Sequence, residues 1–163
     1  MNVTGIDHVY LTVSDFARSE VFYDQVLAAF GFRKGDSAIG GEPHAHYVRP
    51  GIQISIRPAH TKAVHDPYAP GLHHLCLQVE SPKDIDEAHK LLTAMGIDAT
   101  PPKRYPEYNP EYYATFFTDP DGIRLELVAQ TGYRRTLIER WHDLKVFLNP
   151  IAELKRREES GAG

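Results

Sequence analysis

Two stretches of the chain share one alternation of apolar and polar residues. Gly5–Ser14 and Gly71–Ser81 align so that His8 matches His74. In the first stretch apolar residues alternate with His, Tyr and Thr, and in the second with His, Cys and Gln. Because successive side chains of a strand point to opposite faces, each stretch predicts a strand with one apolar face and one face that carries an imidazole. A strand face open to water normally carries charged residues, so these polar faces predict a lined cavity.

A helix signal follows each predicted strand. Ser14 begins an apolar stripe at helical spacing that stops at Gly31, and Ser81 begins a second stripe that stops at Gly96. Serine is a preferred N-cap, and glycine commonly ends a helix. Both halves of the chain therefore predict a strand followed by an amphipathic helix.

Each helix is in turn followed by a short strand and a β-hairpin. The hairpin turns contain Pro-Gly in the first half and Asp-Pro-Asp-Gly in the second, which are strong turn signals. The chain therefore reads as two βαβββ modules within residues 1–130. The predicted hairpin strands cover about 43–48 and 52–57, then 112–118 and 123–129; the modules cover about 5–58 and 71–129, with a linker at 58–70.

Residues 131–163 follow the second module. Apolar residues recur at helical spacing between Arg134 and Leu148, and Pro150 ends the run, which predicts an additional amphipathic helix. Such a helix covers either an exposed sheet face or a dimer contact. The residues after it are charged and then Gly-Ala-Gly, which predicts a mobile tail.

Composition narrows the functional classes. The 163 residues carry a formal net charge of -4, with a pI near 6.1, which gives no electrostatic reason to expect a nucleic-acid partner. No apolar run approaches the roughly 20 residues of a membrane span, and the N-terminus lacks a signal-peptide pattern, so we expect a cytoplasmic protein without a membrane partner. The lone Cys76 fits a reducing compartment.

The second hairpin adds a carboxylate to the polar face. Aligning the two hairpin turns places Ser55 of the first module on Glu126 of the second. Alternation in the last strand turns Arg124 and Glu126 away from the core, towards the face predicted to carry the histidines.

His8, His74 and Glu126 together have the composition of a divalent-metal site. Two neutral nitrogens and one carboxylate leave positions open for water or substrate. Such sites favour non-haem Fe(II), and Mn(II), Zn(II) and Ni(II) are alternatives. Each histidine could instead be a hydrogen-bonded core residue, and Glu126 could form a structural ion pair with Arg124 or Arg57.

The repeat and its motifs resemble the vicinal oxygen chelate superfamily, which includes glyoxalase I, extradiol dioxygenases, fosfomycin-resistance thiol transferases and bleomycin-binding proteins. The resemblance covers residues 5–129 and is carried by Asp7-His8-Val9, by His74 and by the segment from Asp119 to Leu127. It implies an α+β fold in which the paired modules form a cupped, partly open mixed sheet with helices outside, completed here by the C-terminal helix.

The resemblance also implies that the residues matching His8, His74 and Glu126 bind the metal. The fourth ligand of glyoxalase I would fall on Ser55, so a three-ligand site of the dioxygenase or fosfomycin-enzyme type is favoured. His46 and Tyr113 could replace the second-shell His and Tyr of the dioxygenases, although alternation leaves their faces open.

Function follows from this resemblance as an expectation. We expect a metal-dependent dioxygenase or lyase, with Fe(II) favoured, that acts on a small vicinally oxygenated substrate. Glu126, His46 and Tyr113 are the candidate catalytic residues, and Tyr10, Ser55 and Arg124 the candidate substrate-binding residues. One alternative is a glyoxalase-like lyase or thiol transferase; another is a metal-free protein that binds a drug or metabolite. We expect a homodimer, whose modules pair within or between chains.

Overall fold

The computed structural model describes residue 3, residues 5–61, residues 63–130 and residue 132. The α+β architecture of two βαβββ modules is confirmed: each module forms a four-stranded mixed sheet with one helix, and neither sheet closes into a barrel over these residues. No helix among them is long and apolar enough to cross a membrane. The C-terminal helix and the mobile tail predicted within 131–163 lie outside the described residues.

The two modules have the same order of elements. The first contains β1 (His8–Val13), α1 (Phe16–Ala29), β2 (Arg33–Ile39), β3 (Glu42–Arg49) and β4 (Ile52–Pro58). The second contains β5 (Leu75–Val79), α2 (Pro82–Ala94), β6 (Lys103–Arg104), β7 (Tyr113–Thr118) and β8 (Arg124–Ala129).

Strand pairing repeats between the modules. The first sheet has the order β1-β4-β3-β2 and the second the order β5-β8-β7-β6, so the first strand of each module is an edge strand in the part of the chain that the structure describes. In the parallel pair β1–β4, Tyr10 lies opposite Ser55, and in β5–β8, Cys76 lies opposite Glu126. Tyr10 and Cys76 each come two residues after a candidate histidine, so the predicted alignment of Ser55 with Glu126 is confirmed.

Helix caps fix where the two helices begin. The N-cap of α1 is Asp15, whose carboxylate accepts the Arg18 backbone N–H at 3.0 Å, rather than Ser14 as the sequence suggested. Ser81 caps α2 as predicted, with a backbone N–H that donates to the Asp84 carboxylate at 2.8 Å. At the N-terminus of each helix, a carboxylate therefore accepts a backbone N–H that has no partner within the helix.

Helix α1 also binds the Asp-Pro-Asp-Gly turn of the second module. The Tyr23 hydroxyl donates to Asp119 at 2.9 Å, and burial together with the adjacent Asp119 carboxylate raises the pKa of Tyr23. The Ser14 backbone N–H donates to Asp121 at 2.7 Å, and Arg18 pairs with the same carboxylate. A turn predicted only to close a hairpin therefore also joins the modules.

The apolar faces of both sheets pack against the helices. Ile54 of the first sheet and Leu77 and Leu125 of the second line one small cavity beneath α1. Because side chains alternate along a strand, packing these faces on the helices turns the other face of each sheet away from the core. Those outer faces carry His8, His46 and Glu126.

Candidate metal site

His74 and Glu126 form one half of the predicted site. Nε2 of His74 lies 3.3 Å from Oε2 of Glu126. Glu126 is buried, with 2% of its surface exposed, whereas the His74 side chain is 40% exposed. The pair therefore joins a buried carboxylate oxygen to an imidazole that solvent or a second molecule can reach.

Tyr112 fixes the orientation of the buried carboxylate. Its hydroxyl donates to Oε1 of Glu126, which leaves Oε2 towards His74. Burial raises the pKa of Tyr112, and the bond to Glu126 raises it further, so the hydroxyl keeps its hydrogen and remains a donor. The Tyr108 ring packs edge to face on the Tyr112 ring, with 5.0 Å between the ring centroids.

Tyr113, one residue further on, belongs to the opposite face. Its hydroxyl donates to Asp86 of α2 at 2.8 Å, so it does not reach the Glu126 side of the sheet. The sequence contained a signal for Tyr112 instead. Phe116 lies opposite Glu126 in the β7–β8 pairing, and counting back in steps of two from Phe116 leads to Tyr112.

His8 forms the other half of the predicted site, on the outer face of the first sheet. Its Nδ1 lies 2.8 Å from Oδ2 of Asp7, and its ring contacts the Tyr10 ring with 5.6 Å between centroids. Because a carboxylate only accepts hydrogen bonds, the ring hydrogen of His8 lies on Nδ1. In the neutral ring, Nε2 then has a free lone pair. Tyr10 is 39% exposed on the same face, consistent with a residue that lines a cavity.

His46 and Ser55 lie on that face beside Tyr10. Nδ1 of His46 lies 2.9 Å from the Ser55 hydroxyl, and its Nε2 lies 2.7 Å from the Ser37 hydroxyl. Gln53 also donates to Ser55, at 2.9 Å. These contacts show that His46 lies on the outer face of the first sheet. Both of its ring nitrogens already have hydrogen-bond partners, and its catalytic role stays a prediction.

Among the described residues, the two halves do not form one cluster of ligands. No three His, Cys, Asp or Glu side chains of the described residues lie close enough together to hold a metal ion. Of the three predicted ligands, the structure therefore joins His74 to Glu126 and leaves His8 in a separate cluster.

His73 also belongs to the second half of the site. Both histidines precede β5, and their Nδ1 atoms lie 2.7 Å apart. Nη1 of Arg124 lies 3.4 Å from Nε2 of His73, which places the predicted substrate-binding arginine beside the histidine pair. The strand begins only at Leu75, so strict alternation did not apply to the two histidines.

The donor set fits a divalent ion. His8 and His74 each have Nδ1 in contact with a neighbouring side chain and Nε2 directed elsewhere, and Glu126 has one oxygen fixed by Tyr112. Metal-binding histidines typically have a second-shell partner on the other nitrogen in this way. His8, His74 and Glu126 would hold the ion if the two halves came together.

Residues 5–127 match the glyoxalase/bleomycin resistance protein/dioxygenase superfamily. The chain belongs to this superfamily. The match spans both modules and stops before the C-terminal segment, in agreement with the extent of the resemblance inferred from the motifs.

Known relatives agree with this membership. The uncharacterized protein YaeR of Escherichia coli K12 is 30% identical over 140 residues, with 80% of this chain and 99% of YaeR covered. A glyoxylase/bleomycin resistance protein/dioxygenase domain from Frankia sp. EAN1pec is 29% identical, with a TM-score of 0.66, and covers 78% of this chain and 98% of its own.

A more distant relative shares the fold. A mutant of the fosfomycin resistance protein FosX from Listeria monocytogenes, complexed with Mn(II) and 1S,2S-dihydroxypropylphosphonic acid, is 19% identical with a TM-score of 0.63. It covers 82% of this chain and 98% of its own.

Proposed function

We propose that the protein is a divalent-metal-dependent enzyme that acts on a small substrate with two neighbouring oxygens. The observation that carries the proposal is the convergence of His74 Nε2 and Glu126 Oε2 at 3.3 Å, with the remaining Glu126 oxygen fixed by Tyr112. The manganese and diol-phosphonate complex of FosX supports the same class of site.

We propose further that the third ligand, His8, comes from a second copy of the chain. The two halves of the ligand set lie apart within the described residues, and β1 and β5 are both free sheet edges. A twofold dimer that brings β1 of one chain beside β5 of the other would create two identical sites. Each site would contain His8 of one chain with His74 and Glu126 of its partner.

The roles of the protein groups follow from their contacts. When bound, a divalent ion would act as a Lewis acid that lowers the pKa of a substrate oxygen, and Fe(II) would also support oxygen chemistry. Tyr112 holds Glu126 in one orientation, and Asp7 presents Nε2 of His8. Tyr10 and Arg124 are the proposed substrate contacts, and the Tyr108 and Tyr112 rings beside Glu126 offer flat surfaces to a substrate ring.

Within the superfamily we favour ring cleavage of a catechol-like diol with Fe(II). Ser55, at the position where glyoxalase I has its fourth ligand, is fully buried and bonded to His46 and Gln53, so it adds no charge to the site. Two histidines and one carboxylate with open positions match non-haem Fe(II) dioxygenases. Lyase or thiol-transfer chemistry with Mn(II), Ni(II) or Zn(II) is the alternative.

Metal content tests the proposal. Protein purified without oxygen should contain close to one metal ion per chain, and Glu126→Ala should lose it. Glu107→Ala, which removes an exposed carboxylate from the nearby aromatic loop, should retain it. If the bound metal is iron, catechols should be assayed as substrates in the presence of oxygen. If it is manganese, nickel or zinc, glyoxalase and thiol-transfer substrates should be assayed. Wild-type protein that binds no divalent ion even after reconstitution would overturn the proposal.

One observation favours a second candidate, a metal-free protein that binds a drug or metabolite. A groove of about 920 Å³ runs along β5, lined by apolar residues that include Phe30, Phe32 and Leu91 and by charged residues that include Arg49 and Asp84. Such a volume suits a small organic ligand. If the groove is the binding site, His8→Ala should leave ligand binding intact, whereas the enzyme proposal requires it to abolish metal binding and turnover.

A further inference from the structure

Four aromatic rings form a cluster beside Glu126 on the outer face of the second sheet. Phe116 lies opposite Glu126 in the β7–β8 pairing, and the Tyr112 hydroxyl donates to the Glu126 carboxylate. The Tyr105 ring lies 5.4 Å from the Phe116 ring and 6.4 Å from the Tyr112 ring, nearly perpendicular to both. Tyr108 completes the cluster through its contact with Tyr112. The rings therefore form a continuous aromatic surface next to the carboxylate of the candidate site.

Tyr108 is the exposed member of this aromatic cluster. It is 64% exposed, whereas Tyr105, Tyr112 and Phe116 are partly buried. The Tyr105 and Tyr108 rings stack with 18° between their planes and 5.9 Å between their centroids. Offset-stacked and edge-to-face contacts at such distances are the favoured arrangements of aromatic pairs. Two neighbouring rings thus hold Tyr108 in place, and the open part of its ring can still contact a further ring.

Backbone hydrogen bonds close the loop that carries Tyr108. The Tyr108 N–H donates to the Tyr105 carbonyl at 3.0 Å, and the Tyr112 N–H donates to the Asn109 carbonyl at 3.1 Å. The Tyr105 N–H donates to the Tyr112 carbonyl at 2.9 Å, so both turns lie inside one closed loop. A loop held in this way loses little conformational freedom when a ligand binds, which favours affinity.

Asn109 anchors this loop to the second sheet. It is 6% exposed, and its side-chain nitrogen donates to the Gln130 side-chain oxygen at 2.7 Å. Its side-chain oxygen accepts the Glu111 backbone N–H at 2.9 Å. Gln130 directly follows β8, the strand that carries Glu126. A buried amide with both of its groups paired therefore holds the residue next to Tyr108 against the end of the strand that carries the carboxylate.

We propose that Tyr108 is a specificity-determining residue that stacks on a planar ring of the substrate, and that Asn109 is the positioning residue for this contact. The inference rests on the proposed function, because a metal held by Glu126 would keep the two substrate oxygens near the aromatic cluster. The contact favours substrates whose ring lies beside the two oxygens over aliphatic substrates that carry the same two oxygens.

Two hydroxamates that differ in one substituent test the inference. Benzohydroxamate and acetohydroxamate each bind a metal through two neighbouring oxygens, but only benzohydroxamate carries a ring. In isothermal titration, the Zn(II)-loaded protein should bind benzohydroxamate more tightly. Tyr108→Ala should weaken benzohydroxamate binding about 2- to 12-fold, the range for one aromatic pair, and should leave acetohydroxamate binding unchanged. Tyr108→Phe keeps the ring and should keep the wild-type preference.

Asn109→Ala tests the positioning role. Because this change loosens the loop and removes no ligand, it should reduce the preference for benzohydroxamate while Zn(II) affinity stays at the wild-type value. A general loss of stability would weaken the binding of both hydroxamates equally. Val21→Ala removes an exposed apolar side chain from α1 and is the matched control, which should keep the preference.

The outcomes separate this inference from the proposed metal site. Zn(II)-loaded wild type without a preference for benzohydroxamate, or Tyr108→Ala with an undiminished preference, would overturn the role of Tyr108 while the metal site stands. An undiminished preference in Asn109→Ala would overturn the positioning role of Asn109. Wild-type protein that binds no Zn(II) would overturn the proposed metal site, and this inference with it.

Discussion

The Tyr112 hydroxyl donates to the buried Oε1 of Glu126, one residue before β7 begins. Glu126 has almost no contact with solvent, so its oxygens need hydrogen-bond donors from the protein. Tyr112 therefore provides both a hydrogen bond to the carboxylate and the orientation that leaves Oε2 beside His74.

Tyr112→Phe should weaken both metal binding and the fold. The change removes the donor on Oε1, so Glu126 can rotate away from the orientation that suits a ligand. We expect divalent-metal affinity to fall about 10- to 100-fold, as for other second-shell partners. The unpaired carboxylate oxygen should lower the free energy of unfolding by about 1–3 kcal/mol. Isothermal titration with Zn(II) and urea unfolding measure the two effects.

Tyr113→Phe is the matched control for that change. It removes the adjacent hydroxyl, which donates to Asp86 on the helix side of the sheet, and should leave metal affinity unchanged. Equal losses of affinity in the two variants would show that Tyr112 does not orient Glu126.

Stability should decline in alkaline solution through two buried tyrosines. Burial raises the pKa of Tyr23 and of Tyr47, and the nearby Asp119 and Asp24 carboxylates raise them further. Above the unfolded-state value of about 10, the folded protein holds these hydrogens more strongly than the unfolded chain does. The folded state is therefore favoured fully below that pH and progressively less as pH rises through the folded-state pKa.

Urea midpoints between pH 8 and pH 11 measure this decline. The double variant Tyr23→Phe/Tyr47→Phe should be less stable at pH 8, because the Asp119 and Asp24 carboxylates lose donors, but should lose less stability as pH rises. Tyr68→Phe, at a position that is 81% exposed, is the control and should follow the wild-type slope. A double variant with the wild-type slope would contradict the assignment.

Asp121 should contribute more to stability than its ion-pair partner Arg18. The Asp121 carboxylate accepts the Ser14 backbone N–H and hydroxyl as well as Arg18, at the start of α1. Asp121→Ala removes all three contacts and should cost about 1–3 kcal/mol. Arg18→Ala removes the ion pair with Asp121 and a long contact with the Ser14 hydroxyl, from a side chain that is 51% exposed, and should cost at most about 1 kcal/mol. Thermal unfolding of the two variants measures which loses more stability. A larger loss in Arg18→Ala than in Asp121→Ala would contradict the prediction.

The sequence repeat predicted the fold because the signals for strands, helix caps and turns depend on residues that are close together in the chain. Strand alternation, Ser81 as a helix cap and glycine at the helix ends depend on neighbouring residues, and the observed elements lie within a few residues of the predicted ones. The register that places Ser55 and Glu126 in equivalent positions followed from the hairpin turns alone.

The arrangement of the candidate site could be predicted only in part from the same signals. Alternation assigns a side chain to a face of its own sheet, but it does not say which faces meet, so it could not separate His8 from the His74–Glu126 pair. His73 lies just before a strand, where the backbone need not continue the alternation. Its contact with His74 depends on loop conformation, which pattern and propensity leave open. Alternation from Phe116 assigns Tyr112 to the face of Glu126, but it does not show that the hydroxyl reaches the carboxylate.

Mixed dimers test whether His8 comes from the partner chain. His8→Ala and Glu126→Ala should each abolish metal binding when purified alone. In a mixed dimer, one site would combine His8 of the Glu126→Ala chain with His74 and Glu126 of the His8→Ala chain, and would be intact. The other site would lack both His8 and Glu126. Random exchange of equal amounts makes half of the dimers mixed, so about one quarter of all sites should regain metal.

Co-expression with two affinity tags isolates the mixed dimer, and metal analysis then counts ions per dimer. One ion per mixed dimer, with none in either parent, is the expected result. A His8→Ala/Glu126→Ala double variant paired with wild type provides the control, because each of its two sites would lack one ligand and should stay empty. Mixed dimers without metal, beside wild-type dimers that hold two ions, would mean that His8 and Glu126 of the same chain complete each site.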